Sequence, residues 1–443
     1  MTWDWFWPEG VYTLVMIGVF AFGAFAWNLP IAVAMALAAI VGAAVGGAGF
    51  PLRHLVEGEF GYLNTIMVIC TAMIFMKVVQ RTGLLDSLSA WVIRKFRRFP
   101  ALLALGIMLI IMIPGMITGS STAAVLTTGA LVSPVLMTLG LSKVKTAAVI
   151  SMGALLGMIA PPISVPAMII CAGVDIPYVG FALPLLICTF PLAFVYALTM
   201  IYPGIRGACD EGALERQLAE MERSPLSFRL FLPVLVLIGL FVAEQAAPQN
   251  VSLGMPVIFL LSAAAGLLSG TKRTPLGVSG GQSTPLSFIS ETLIEAVNDA
   301  LPVMGILMGV GMFIQIMTLI GVQGFIVVSA LSLPSWTLFV GIAVAMPLFG
   351  AVSSFGSASV LGVPFLLALL NYNSIIVASA LSLIAALGDL MPPTALAGIF
   401  AAQVVGEENY FRVLKLCLLP GLLLALWGIA VILMSPAIAS VLF

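Results

Sequence analysis

Residues 116–125 read MITGSSTAAV, and their setting decides the fold. Apolar residues run almost without a break from Ala101 to Ile117, with Pro114 and Gly115 just before the polar patch. No charged residue stands between Pro100 and Ser142. A stretch this apolar belongs in a bilayer, where backbone can leave the helix only if protein or a wet cavity satisfies its polar groups. Thr118, Gly119, Ser120, Ser121 and Thr122 therefore read as the tip of a re-entrant hairpin, at about 105–141, rather than as part of a continuous crossing.

The whole chain agrees. Of its 443 residues 62% are hydrophobic and 8% charged, against roughly 25% charged in a soluble domain. Mean hydropathy is +1.21. The expected class is an all-α polytopic membrane protein. Net charge is −1 and confined to loops, so nothing points to nucleic acid. Trp3, Trp5 and Trp7 read as an interfacial anchor, and the start lacks the basic region of a cleaved signal peptide. Cys70, Cys171, Cys188, Cys209 and Cys417 form no disulfide pattern, and a single His54 excludes a His-rich metal site.

Apolar stretches lie near 11–27, 29–50, 62–80, 100–118, 146–170, 178–203, 230–246, 254–270, 300–320, 334–350, 374–400 and 411–434. Polar segments occupy about 204–229 and 271–290, the first with helical charge patterning and best read as a solvated linker. Placing that linker in the cytoplasm puts Arg81, Arg94, Lys95, Arg97, Arg98, Lys143, Lys145, Arg206, Arg216, Arg223, Arg229, Lys272, Arg273, Arg412 and Lys415 inside and Arg53 outside. This satisfies the positive-inside rule and makes both termini extracytoplasmic. Lys77 falls inside a span near the inner face, where snorkelling is expected ahead of substrate binding. Asn298 and Asp299 read as interfacial.

The two halves repeat. MIFMKVVQRTG (73–83) parallels GMFIQIMTLIG (311–321), IPGMITGSSTA (113–123) parallels MPLFGAVSSFGSAS (346–359), and GMIAPPIS (157–164) parallels GDLMPPTA (388–395). The offset is nearly constant for Phe75 with Phe313, Gly119 with Gly356, Pro161 with Pro392 and Tyr178 with Tyr410. In this tracing the halves have opposite topology, a pointer to a secondary transporter with its site near the midplane. The expected organisation is an N-terminal span (1–27), a first repeat (28–203; hairpin about 105–141, broken helix about 146–170), a linker (204–229), a second repeat (230–434; hairpin about 336–370, broken helix about 374–400) and a tail (435–443).

Each Pro-Pro pair removes two N–H donors and leaves upstream carbonyls without helical partners. Hydroxyls and freed carbonyls are oxygen ligands suited to a hard cation, and the half-helix beyond each break presents N–H groups to an anion. The expected cation ligands are Gly119, Ser120, Pro161, Ser354, Gly356, Asp389 and Pro392. The expected substrate contacts are Ser120, Ser121, Thr122, Ser164, Ser357 and Thr394. Asp389 is the sharpest of these: an intramembrane carboxylate is costly and by default functional. It is able to ligate Na⁺, to carry a proton, or to serve only as an acceptor for Thr394 or a nearby N–H. No H-E-x-x-H or Walker A motif occurs, and no His stands near Ser120 to activate it, so neither an enzyme nor an ATP-driven pump is expected. A channel would need a continuous polar stripe, and only localised tips and breaks are present.

These residues resemble the large membrane subunit of TRAP transporters, within the ion transporter superfamily. That family carries a G-S-S-x-A hairpin, an I-P-P-S break and a T-P-P break. Here they stand as Gly119-Ser120-Ser121-Thr122-Ala123, Ala160-Pro161-Pro162-Ile163-Ser164 and Met391-Pro392-Pro393-Thr394. The resemblance implies an elevator-type, Na⁺-driven importer of organic acids in the bacterial inner membrane. It also implies two partners, an extracytoplasmic binding protein and a small four-helix membrane subunit. The alternative is a stand-alone H⁺- or Na⁺-coupled carboxylate symporter of the same superfamily, resembling gluconate or dicarboxylate permeases.

Overall fold

The computed structural model describes residues 7–205, 211–221, 228–246, 253–269 and 285–442. Trp3, Trp5, Arg206, Cys209, Arg223, Lys272 and Arg273 lie outside the described residues, as does most of the 271–290 segment. The described chain is helical and contains no strand. Seven of its helices are long and apolar enough to cross a membrane. Their outer faces carry exposed Leu, Val and Phe, such as Leu418, Leu419 and Leu422, as lipid contact requires.

The helices form two groups. In the first, the long Pro285–Leu319 helix packs against Ile31–Val45, Leu52–Gly61 and Leu63–Arg81, and Met255–Leu268 lies between Leu63–Arg81 and Phe228–Ala246. Pro8–Phe25 packs on Ile31–Val45 and on Val322–Ser332. The second group holds the two hairpins, the two broken helices, Ala182–Tyr196 and Tyr410–Leu433.

Several elements differ from the sequence tracing. Leu52–Gly61, Leu84–Phe96, Val322–Ser332 and Ser435–Leu442 are additional helices. Pro285–Leu319 is one helix of 35 residues rather than a span beginning near 300. Its charged turns stay helical because Glu291, Glu295 and Asp299, each four residues from the next, face Lys77 and Arg81. Lys77 therefore turns to an ion pair with Asp299, 2.6 Å away, while Asn298 and Asp299 themselves remain exposed. The linker helix Glu211–Met221 is docked rather than fully solvated. It buries Leu214 and Leu218, and Glu215 meets Arg97 at 3.1 Å and Arg94 at 3.7 Å.

The repeat is visible in the backbone. Gly83 (φ 74°) and Gly321 (φ 78°) end Leu63–Arg81 and Pro285–Leu319 and start the next helix at once, a left-handed corner that favours glycine. Hairpin one rises as Pro100–Thr118, turns at Gly119 (φ 65°), and returns through Ser121–Ala124, a π-helical turn (Val125–Gly129) and Ala130–Thr138. Hairpin two rises as Ser335–Gly350 and returns through Ser354–Ser357, a π-helical turn (Ala358–Gly362) and Val363–Ala368.

Each rising arm crosses its broken helix through a glycine pair. A Cβ on Gly115 would lie 2.7 Å from the backbone of Gly157, and one on Gly350 would lie 2.7 Å from that of Gly388. Small residues at such crossings let backbones approach where lipid supplies no hydrophobic drive. Broken helix one is Lys143–Ile159, then Val165–Ala172. Broken helix two is Ser374–Ala386 with a 3₁₀ turn Leu387–Leu390, then Leu396–Val405.

Candidate functional site

Both hairpin tips are built alike. Ser120 Oγ accepts from the Ala123 N–H, and Ser353 Oγ accepts from the Gly356 N–H, both at 3.2 Å. Each serine caps the returning arm in the way favoured for helix starts. This equivalence shifts the hairpin register: Ser120 matches Ser353, so Gly119 matches Val352 and Gly356 matches Ala123, not Gly119.

Each tip is tied to the break of its own half. The Ile163 N–H donates to Met116 O at 3.2 Å. The Thr394 hydroxyl donates to Ala351 O at 2.6 Å, with its N–H directed to the same oxygen at 3.4 Å. Tyrosines then fasten both breaks. Tyr178 Oη donates to Pro162 O at 3.3 Å and accepts from the Ser164 N–H at 3.2 Å. Tyr410 Oη donates to Leu390 O. The carbonyls freed around the prolines are thus partly used by the protein itself.

The halves join at Asp389. Ser121 Oγ, from hairpin one, donates to Asp389 Oδ2, and Ser354, from hairpin two, faces the same carboxyl. Asp389 is buried, and among the described residues no cation pairs with it. Ser121, Ser354 and Asp389 lie in the wall of a cavity of about 770 Å³. The same wall includes Thr118, Ser120, Thr122 and Ser353. Facing it, from the first helix group, are Met73, Lys77, Gln80, Asn298, Asp299 and Ile306.

Of the residues expected from sequence, Ser120, Ser121, Thr122, Ser354 and Asp389 are brought to this cavity. The others lie elsewhere. Ser357 is fully buried and spends its hydroxyl on Met346 O at 2.6 Å, bracing the two arms of hairpin two. Thr394 spends its hydroxyl on Ala351 O, so it does not donate to Asp389. Pro392 is exposed and outside the cavity wall. Gly356 packs against Met35 and Phe20 of the first group. Gly119, Pro161 and Ser164 cluster where tip one meets break one, with Gly119 against Ile163 and Val165. There Ser164 Oγ is buried with no hydrogen-bond partner, which is uncommon for a buried hydroxyl.

The sequence reading gives Lys77 substrate binding only as a second role and does not place Gln80, Asn298 or Asp299 in the site. Their signal was present as two stripes at four-residue spacing, Lys77 and Arg81 on one helix and Glu291, Glu295 and Asp299 on another. Such spacing sets residues on one helix face. Only the packing shows that the two faces meet. No group of three or more His, Cys, Asp or Glu placed to hold a metal ion occurs among the described residues, so any cation here would depend on hydroxyls and carbonyls besides Asp389.

A membrane protein whose described residues are helical and whose two halves repeat, with paired hairpin tips and helix breaks around one cavity, has the architecture of a secondary transporter. The model of the family described as "Tripartite ATP-independent periplasmic transporter, DctM component" matches residues 15–438. The chain belongs to that family, the large membrane component of TRAP transporters, which work with a substrate-binding protein and a small membrane subunit. Among solved structures it is similar to the YdaH transporter of Alcanivorax borkumensis, reported to have an unusual topology. That pair is 16% identical, with a TM-score of 0.57 over 86% of each chain. It is also similar to MtrF of Neisseria gonorrhoeae, described as illuminating a class of antimetabolite efflux pumps. There the identity is 14%, with a TM-score of 0.58 over 87% of this chain and 83% of that one. At these identities the likeness is one of fold. No curated protein matches the chain.

Proposed function

We propose that this protein is the permease subunit of an importer that moves organic anions, namely carboxylates such as C4-dicarboxylates or sugar acids, into the cell with Na⁺ as co-substrate. One observation carries this reading. A buried carboxylate without a cation partner, Asp389, is shared by hydroxyls from both hairpin tips at the wall of a cavity large enough for a small ligand. A buried charge needs a partner, and a hard cation held by Asp389 Oδ2, Ser121 Oγ and Ser354 supplies one. The orphan hydroxyl of Ser164, beside Gly119 and Pro161, supports a second cation contact where tip one meets break one.

The two helix groups suit an elevator. Hairpins and broken helices form the moving unit, and the group containing Pro285–Leu319 stays fixed. The positive-inside count supports a cavity opening at the cytoplasmic end, since Lys77 and Gln80 lie near the basic segment that follows Arg81. It also supports extracytoplasmic termini in an inner membrane.

The decisive experiment is uptake of radiolabelled succinate, malate, gluconate and other sugar acids into proteoliposomes containing the permease. Runs are made with and without its small subunit and binding protein, under a Na⁺ gradient or a pH gradient. Accumulation that needs Na⁺ and the binding protein is the expected result. Uptake by this chain alone, driven by a pH gradient and lost in Asp389→Asn, would assign it to the stand-alone H⁺ symporters, with Asp389 carrying the proton.

A further inference from the structure

The cavity has a second charged wall. Lys77 Nζ lies 2.6 Å from Asp299 Oδ2 and 4.0 Å from Glu295 Oε2. One turn away Arg81 is engaged more fully. It stands 3.1 Å from Glu295 and 3.8 Å from Glu291, with its guanidinium 5.3 Å from the Phe288 ring centroid. Arg81 is almost wholly buried, with 5% side-chain exposure, whereas Lys77 retains 20% and Asp299 52%. The ladder thus has a closed end at Arg81 and an open end at Lys77. The open end faces the cavity, where Lys77 is the only Lys or Arg in the wall among the described residues.

We infer that Lys77 is a carboxylate-binding residue of the transport cavity, and that Asp299 is its built-in competitor. An organic anion entering the cavity displaces Asp299 from Lys77 Nζ, and the ammonium turns to the ligand carboxylate. This rests on the proposed function, because it names the group that receives the anion of that same cavity.

The exchange is physically easy. Asp299 is half exposed, so water takes over its solvation when Lys77 leaves, and contact with that water screens the pair and weakens it. Lys is suited to the task, being a compact charge on a flexible stem. Arg81 is not: it is buried, and leaving its partners would strand a charge. The ladder is also acidic in excess, with Glu291, Glu295 and Asp299 set against Lys77 and Arg81, so Glu295 still faces Arg81 after the exchange. Lys77 belongs to the fixed group and the hydroxyl tips to the moving one. A ligand held by Lys77 is therefore held only while the cavity opens on this side, and is surrendered when the tips move.

A competitor and a strut make opposite predictions. If Asp299 competes with the ligand, Lys77→Gln raises the KM for the transported anion roughly tenfold, as expected when one charge-assisted hydrogen bond is removed. Asp299→Asn then lowers it severalfold, and Lys77→Arg stays near wild type. If the pair merely braces two helices, both Lys77→Gln and Asp299→Asn impair uptake in the same direction, and the inference fails.

A measurement independent of transport keeps the two readings apart. Lys77 in the purified, detergent-solubilised permease is labelled with an amine-reactive reagent and quantified by peptide mass spectrometry. Samples carry succinate, gluconate, or the neutral succinamide as control. Protection by either carboxylate and not by the amide supports the Lys77 site, even if no uptake is found and the transport reading falls. Absence of protection by both carboxylates overturns it, even if uptake is robust. Variants enter the comparison only when they elute as monodisperse protein, and Asp299→Asn, altering a half-exposed side chain, is the variant least exposed to a folding defect.

Discussion

At the residue scale the site turns on Asp389 and the two serines that meet it. Removing the charge should be more damaging than removing either hydroxyl. On the proposed Na⁺ coupling, Asp389→Asn is expected to reduce uptake on the order of a hundredfold, because it takes a full negative charge away from the proposed cation and from two hydroxyl donors. Ser121→Ala leaves the carboxylate with one donor fewer and should reduce uptake by about tenfold. Membrane yield and elution profile should be unchanged for Ser121→Ala. A Ser121→Ala protein with wild-type uptake and Na⁺ dependence would remove the tip from the site. Ser357→Ala addresses a different role. Its hydroxyl braces Met346 O within hairpin two, so it should lower thermal stability, by about 1 kcal/mol, with little change in the Na⁺ concentration giving half-maximal uptake.

At the element scale the hairpins are positioned by glycine crossings and tyrosine ties. Gly115→Val puts branched carbon into the backbone of Gly157, and Gly350→Val does the same at Gly388. Overpacking of this kind costs about 1–3 kcal/mol or more when backbone cannot yield. Both variants should lose monodisperse protein in fluorescence-detected size exclusion, whereas Gly18→Val, with open space around it, should not. The tyrosines are subtler. Tyr410→Phe leaves Leu390 O without its donor, next to Asp389. It should weaken apparent Na⁺ affinity severalfold, a cost of about 1 kcal/mol, while preserving fold, which a Na⁺ titration of uptake checks directly.

At the scale of the molecule the elevator reading demands relative movement of the two groups. Phe20 of the first helix group stacks on Phe349 of hairpin two, with ring centroids 5.7 Å apart. In a cysteine-free background, Phe20→Cys with Phe349→Cys bridged by a short bifunctional thiol reagent should stop uptake, and cleaving the bridge should restore it. The control pair lies inside the second helix group, where Trp427 Nε1 donates to Ile187 O at 3.1 Å. Trp427→Cys with Ile187→Cys should crosslink without arresting transport. Undiminished uptake by the crosslinked 20–349 pair would dismiss rigid-body movement of these groups.

By itself, the sequence determined the class, the two hairpins and the two breaks. Charge and hydropathy reject water, and Gly-Ser tips with Pro-Pro pairs mark the places where backbone must leave the helix. It also marked Asp389, because a carboxylate in an apolar run is costly whatever surrounds it. Other features were decided only by tertiary structure. Ser120 matches Ser353 because both cap a returning arm, a fact of hydrogen bonding that residue spacing misregistered. Ser357 and Thr394 look like ligands by type, yet their hydroxyls are consumed by carbonyls of hairpin two, Met346 O and Ala351 O. Lys77, Asn298 and Asp299 sit at helix positions that hydropathy assigns to an interface. They reach the cavity because the helix of 35 residues extends past it and presents its acidic stripe to Lys77 and Arg81. Local patterns fix where a helix must break or carry charge. Which partners those groups find depends on the packing of elements far apart in the chain, and the chemistry of the site follows from that packing.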